Sequence, residues 1–256
     1  MIGPFMSLVQ MLPDLYEGYV SWKRISQLFS APGTAGSSGP GDETRALIRA
    51  ANPDLIASVR DCSLGWTAEA VLSGLTLNVE RGSILLITGD TGLGKTTLLK
   101  SLVGEVRVLD GFVNILASRV AYCDQAPFFL PGEIVREQVL WGNDMDQTLY
   151  VAVLRACQLD VDVAQWSDGD SQVVSTAEGV PLSGGQRKRL SLARALYHNP
   201  ELLILDDVFT GIDSDTAAQM RDALFGREGF LQTRLPDMAV ILSSSSGMFR
   251  ATLWQL

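Results

Sequence analysis

Three features of the chain predict an α/β fold built on a largely buried sheet, with a minor helical arm ahead of it. Short apolar runs are punctuated by glycine, helical patterns lie between several of them, and one run feeds a glycine-spaced loop that opens a helix. The runs cover residues 75–79, 83–88, 120–123, 202–205 and 239–242, and the helical patterns follow Lys95 and Gly185. This texture begins at Ile56 and contains no internal repeat.

Ahead of it, Phe5, Leu8, Leu12, Leu15, Tyr19 and Trp22 recur at spacings of three and four, which puts them on one face of a helix that Pro13 should kink. The stretch Ala31-Pro-Gly-Thr-Ala-Gly-Ser-Ser-Gly-Pro-Gly41 cannot form a core and reads as a flexible linker. The expected organisation is therefore an amphipathic helical arm over 1–30, a flexible linker over 31–55, and one α/β domain over 56–256.

Composition narrows the function. The 256 residues are 46% hydrophobic and 19% charged, with a mean hydropathy of +0.17, enough to bury one large core. Twenty Lys and Arg against 29 Asp and Glu give a net charge of -9, a balance that argues against gripping a nucleic-acid backbone. Cys62, Cys123 and Cys157 are scattered and form no C-x-x-C pair, which favours a reducing compartment over a disulfide framework or a zinc site. No run of about 18 apolar residues spans a bilayer. The apolar N-terminus lacks the basic start and cleavage site of a signal peptide.

Residues 83–88 feed Gly89-Asp90-Thr91-Gly92-Leu93-Gly94-Lys95-Thr96, which satisfies G-x-x-x-x-G-K-[ST] in the strand-to-helix setting that the motif requires. Glycines there let backbone N–H groups turn inward as an anion nest, and the helix start adds its positive dipole end. Such a loop cradles a triphosphate, with Lys95 on the β- and γ-phosphates and the Thr96 hydroxyl on Mg²⁺. Thr97 opens the helix behind it. The later run 202–205 ends in Asp206-Asp207, a strand exit that can bring carboxylates to the same metal.

Leu182-Ser183-Gly184-Gly185-Gln186, followed by Arg187-Lys188-Arg189, lies between the phosphate loop and the Asp-terminated strand. With it, the region from Ile56 to Leu256 resembles the nucleotide-binding domain of ATP-binding cassette (ABC) transporters. The resemblance implies a P-loop NTPase of the ABC ATPase type, with a mostly parallel core sheet, an antiparallel β part and a helical signature subdomain. It also implies that Ser183, Gly184, Gly185 and Gln186 close over ATP held by a second cassette, so that one chain completes neither site. Trp66 is similar to the aromatic that stacks on adenine, and Gln125 to the glutamine that contacts Mg²⁺ and water. Thr210-Gly211-Ile212-Asp213 is similar to the loop that crosses between cassettes.

The stretches Ser63-Leu64-Gly65-Trp66, Val120-Ala121-Tyr122-Cys123 and Asp206-Asp207-Val208-Phe209 resemble the first cassette of subfamily C, the multidrug-resistance-associated group. On that resemblance, Tyr19-Val-Ser-Trp-Lys-Arg-Ile25 is similar to the cytoplasmic end of a last membrane helix. The implied partners are a second cassette and transmembrane domains. The implied place is the cytoplasmic face of a membrane, the fragment alone being cytoplasmic, and the implied role is driving export.

Two positions depart from a working ATPase of that family. Its water-polarising glutamate is here Asp207, one methylene short, and a misplacement of about 1 Å can lower a rate on the order of a hundredfold. Its switch histidine is replaced within Ser243-Ser-Ser-Ser246, where Ser245 takes the position and can hydrogen-bond a phosphate but carries no charge. The single histidine, His198, reads instead as a helix C-terminal residue. Asp207, Gln125 and Ser245 are thus the expected catalytic set of a weakly active site, and Thr96, Gln125 and Asp206 the expected metal set. A non-hydrolytic remnant or regulatory cassette is the alternative. A soluble ATPase of translation or DNA repair would be expected to show two cassettes or a long coiled coil, and a basic surface. The family also continues beyond the position of Leu256, so a C-terminally short cassette is expected.

Overall fold

The computed structural model describes residues 42–174 and 182–245. The expected N-terminal arm, the glycine-rich part of the linker, Ser246 and the C-terminal end lie outside these residues.

The elements run α1 (Asp42–Ala51), β1 (Leu55–Gly65), β2 (Leu72–Glu80), β3 (Ile84–Thr88), α2 (Lys95–Leu102), β4 (Arg107–Ile115) and β5 (Val120–Cys123). They continue α3 (Val135–Leu140), α4 (Gln147–Ala156), α5 (Asp160–Gln165), α6 (Gly184–Tyr197), β6 (Leu202–Asp206), α7 (Ser214–Phe225), α8 (Phe230–Arg234) and β7 (Ala239–Ser244). Two sheets form: an antiparallel one in the order β2-β1-β4, and a parallel one in the order β3-β7-β6-β5.

All five expected runs are strands, and β6 and β7, at the centre of the parallel sheet, are buried along their whole length. Continuous apolar runs are what a strand covered on both faces requires. Alternate side chains serve two cores. Leu203, Leu205, Val240 and Leu242 face the helical cluster of α3, α4, α6 and α7. Leu202, Ile204, Ala239 and Ile241 face α2 and the antiparallel sheet.

Three elements differ from the reading of the sequence. Residues 42–51, within the expected linker, form helix α1, whose Arg49 guanidinium donates to the Leu116 carbonyl. Helix-favouring Arg, Ala and Leu outweigh the Gly-Pro-Gly that precedes them. Strands β1 and β4 lack a clean alternation because a bulge interrupts their pairing. Asp61 there has φ 42° and Gly111 φ 71°. A Cβ on Gly111 would lie 2.4 Å from the Arg60 and Asp61 carbonyls, so only glycine fits opposite that bulge.

The parallel strands end together. Thr88 pairs with Ser244, and Asp206 with Ser243, which brings the C-terminal ends of β3, β7 and β6 to one edge. In open parallel sheets, ligand clefts form at that edge.

Candidate functional site

A cleft of about 260 Å³ opens there, lined by Trp66, Val71, Thr91, Gly92, Gly94, Lys95, Thr96, Thr97, Gln125, Asp206, Asp207 and Ser245. The phosphate loop, the Asp206-Asp207 strand exit, Gln125, Trp66 and Ser245 are therefore brought together from five separate stretches of chain.

Gly92 and Gly94 have φ 89° and 85°, left-handed conformations that keep the loop wrapped ahead of α2. A Cβ on Gly94 would also sit 3.0 Å from the Leu72 side chain, so the loop presses closely on β2. The Lys95 ammonium lies across the loop, donating to the carbonyls of Gly89 at 2.7 Å and Asp90 at 2.9 Å. Gly89 and Asp90 thus hold the lysine, and Leu93 is exposed at the loop tip.

Trp66 is 49% exposed on the cleft wall, and its indole N–H donates to Thr97 Oγ1 at 3.2 Å. An indole so exposed and so tethered is not a core residue.

Asp206 is 2% exposed, and its two oxygens accept from Ser243 Oγ at 2.8 Å and Tyr122 OH at 3.2 Å. Burial, and then the Asp206 charge, push the Tyr122 phenol well above its usual range, so it stays a donor. Neither partner was identified as functional from the sequence. Ser243 was legible as the first serine after the apolar part of β7, in register with Asp206. Tyr122 carried no such signal.

Asp207 has φ 51°, and all of its polar groups are engaged. Its N–H donates to Ser243 Oγ at 2.9 Å, and its carbonyl accepts from Lys188 Nζ at 2.9 Å. Its carboxylate accepts from Thr210 Oγ1 at 2.7 Å and from Ser245 Oγ at 3.2 and 3.3 Å.

The residues fit a magnesium-bearing nucleotide. Glycines at 89, 92 and 94 leave the loop without Cβ atoms at those positions, and the Lys95 ammonium is held on the carbonyls of the same loop. Thr96, Gln125 and Asp206 supply a hydroxyl, an amide and a carboxylate, the oxygen donors that Mg²⁺ takes alongside phosphate. Among the described residues there is no group of three His, Cys, Asp or Glu that could hold a metal ion by itself.

Ser183, Gly184, Gly185 and Gln186 do not line this cleft. They open α6, where Ser183 Oγ accepts from the Gln186 N–H at 3.1 Å and Gln186 Oε1 accepts from the Ser183 N–H at 2.8 Å. This capping box holds the helix start while the next N–H groups have no partner within the helix. Gln186 Nε2 also donates to Asp162 Oδ1 at 2.7 Å, and Arg189 Nη1 to Asp162 Oδ2 at 2.5 Å, which ties the helix start to α5. His198 is the C-cap residue of α6, and Asp213 the N-cap of α7, accepting from the Thr216 N–H. No helix among the described residues is long and apolar enough to cross a membrane.

Residues 72–210 match the family model described as ABC transporter. The chain is 36% identical over 217 residues to the ABC-type transporter frbG of Dothideomycetidae sp., covering 84% of this chain and 14% of that protein. It is 38% identical over 191 residues to ABC multidrug transporter B of Aspergillus fumigatus, covering 74% and 13%. It is 34% identical over 237 residues to ABC transporter C family member 13 of Arabidopsis thaliana, covering 88% and 16%. The chain spans about a seventh of the length of these relatives.

Proposed function

The chain belongs to the ABC transporter family, and from that premise we propose that it is an ATP-binding cassette that couples pairing with a second cassette to substrate export through transmembrane domains. The observation that carries this reading is the single cleft shared by Lys95, Thr96, Gln125 and Asp206 at the ends of the parallel strands. Gly89 through Thr97 hold the phosphates, with Lys95 moving from the loop carbonyls onto the β- and γ-oxygens. Thr96, Gln125 and Asp206 hold Mg²⁺, which when bound neutralises phosphate charge that the acidic chain otherwise repels. Ser243 and Tyr122 aim Asp206 at that position. Trp66 offers its face to adenine.

The site turns ATP over slowly. Asp207 directs its carboxylate at Thr210 and Ser245 within its own chain, whereas a general base must reach the attacking water within about 3 Å. Ser183 to Gln186, at the far end of α6 from its His198 cap, serve the partner's nucleotide instead.

Equilibrium dialysis of the full chain with labelled Mg-ATP tests the reading. Saturable uptake that Lys95→Ala abolishes is expected. No uptake by folded protein, or uptake indifferent to Lys95, overturns it. A specific observation, the engaged Asp207 carboxylate, favours the alternative of a non-hydrolytic or regulatory cassette. Turnover of about 1 s⁻¹ or faster by the chain alone rejects both that alternative and the slow-site assignment.

A further inference from the structure

Lys188 lies in α6, yet its ammonium leaves that helix for the loop over residues 207–213, donating to the carbonyls of Asp207 at 2.9 Å and Thr210 at 2.6 Å. The two carbonyls bracket a tight turn in which the Thr210 N–H also donates to the Asp207 carbonyl at 3.3 Å. Asp207 sits in the left-handed region, which a non-glycine residue keeps only where its surroundings over-determine it. One end of the loop is anchored on the cleft, through Ser243 and Ser245. The other end lies beside the start of α6, where a Cβ on Gly185 would be at ordinary contact distance, 3.6 Å from the Gly211 carbonyl and 3.7 Å from Ile212. Lys188 therefore bonds a loop that has one end in the cleft lining and the other beside the Ser183–Gln186 helix start, while its own ammonium does not line the cleft.

The geometry points to Lys188 as a positioning residue that clamps loop 207–213 to α6 and makes the cleft and the Ser183–Gln186 helix start one mechanical unit within a single chain. An ammonium has three donors and no acceptor, so one lysine can hold two carbonyls at once and still point a third donor outward. Methionine, of similar length and shape, holds neither. Burial keeps the ammonium below the usual lysine range, and the Asp207 and Asp206 charges oppose that shift. The consequence is that a ligand entering the cleft is felt at a surface that, on the proposed function, belongs to a different nucleotide site. The ligand in this statement rests on that reading, but the clamp does not.

Hydrogen exchange with mass spectrometry on the full chain tests it, with parent, K188M, K188Q and K188R compared. Without nucleotide, exchange at amides 208–213 in K188M should accelerate about tenfold, with the strands unchanged and K188R between the two. Mg-ATP should slow exchange at both 89–97 and 183–189 in the parent, and at 89–97 alone in K188M. Parent-like exchange at 208–213 in K188M, or an undiminished response at 183–189, overturns the clamp. Loss of protection throughout the strands in both K188M and K188Q also overturns it, because a positioning residue leaves them intact. If the parent shows no response to Mg-ATP at 89–97, the nucleotide reading fails, and the clamp stands or falls on the nucleotide-free rates at 208–213.

Discussion

Removing the Asp162 carboxylate is predicted to destabilise the helical part of the molecule far more than loss of an ordinary ion pair. The Asp162 and Arg189 side chains are 15% and 10% exposed, so the pair is largely withdrawn from water. Asp162 accepts from Arg189 at 2.5 Å on one oxygen and from Gln186 at 2.7 Å on the other. In Asp162→Ala the Arg189 guanidinium keeps the Gln158 carbonyl but loses its counter-charge. Breaking a buried pair from one side costs about 3–5 kcal/mol, and the residual exposure of both partners places this site near the lower end, about 3 kcal/mol. For a chain of this size that corresponds to a Tm lower by about 6–12 °C. Replacing both partners, as in Asp162→Leu with Arg189→Leu, should return most of the loss, because no charge is then left unpaired. Thermal unfolding followed by circular dichroism measures Asp162→Ala, the single variants Asp162→Leu and Arg189→Leu, and their double. A shift under about 2 °C in Asp162→Ala, or a double variant as unstable as the two single losses added, refutes the reasoning.

Three further outcomes follow from the same geometry. Ser243→Ala leaves the Asp207 N–H and a buried Asp206 oxygen without their hydroxyl partner, which should cost about 2 kcal/mol and be visible in calorimetry as a lower Tm; an unchanged Tm would exclude the shared role of that hydroxyl. Burial, aided by Arg194, lowers the His198 pKa below 6.5, so the unfolded chain binds that proton more readily than the folded one. Stability from this group is present above pH 6.5 and is lost as the pH falls through the depressed value, and urea titrations at stepped pH should show that loss flattened in His198→Asn. Trp66→Ala should weaken ATP binding by the worth of one stacked base, about 1–3 kcal/mol, in a fluorescence titration, and equal affinity would remove Trp66 from the site.

The buried parallel strands were legible because burial on both faces leaves a sequence little choice but continuous aliphatic runs, as in Leu202–Asp206 and Ala239–Ser244. The antiparallel β1 and β4 were not, since their pairing is broken at Asp61 and Gly111, where local backbone strain overrides alternation. The phosphate loop was readable because its chemistry is local, with Gly92, Gly94 and Lys95 acting within one turn of each other. The supports of Asp206 come from Tyr122 on β5 and Ser243 on β7, strands joined to it only by the order of the sheet. Lys188 stood beside the signature as one basic residue among three. Nothing in Arg187-Lys188-Arg189 distinguishes the lysine that holds two carbonyls from the arginine that pairs with Asp162.

Asp207 and Ser245 should recover turnover together and not singly. Thr210 and Ser245 both donate to the Asp207 carboxylate, so the two residues proposed to depart from a working ATPase, Asp207 and Ser245, are bonded to each other. Asp207→Glu adds a methylene that carries the carboxylate about 1 Å toward the cleft, but Ser245 at 3.2 Å remains a competing donor. Ser245→His removes that competitor and supplies a ring that can reach a phosphate, yet leaves the shorter carboxylate on Thr210 at 2.7 Å. Only the double variant frees a longer carboxylate and fills the switch position. Its ATP hydrolysis, measured with a second cassette that supplies an intact signature loop, should rise on the order of a hundredfold over the parent pair, with each single variant gaining less than about tenfold. A full gain from Asp207→Glu alone would show that the Ser245 contact has no hold on the carboxylate. No gain from the double variant would overturn the proposal that Asp207 and Ser245 limit turnover.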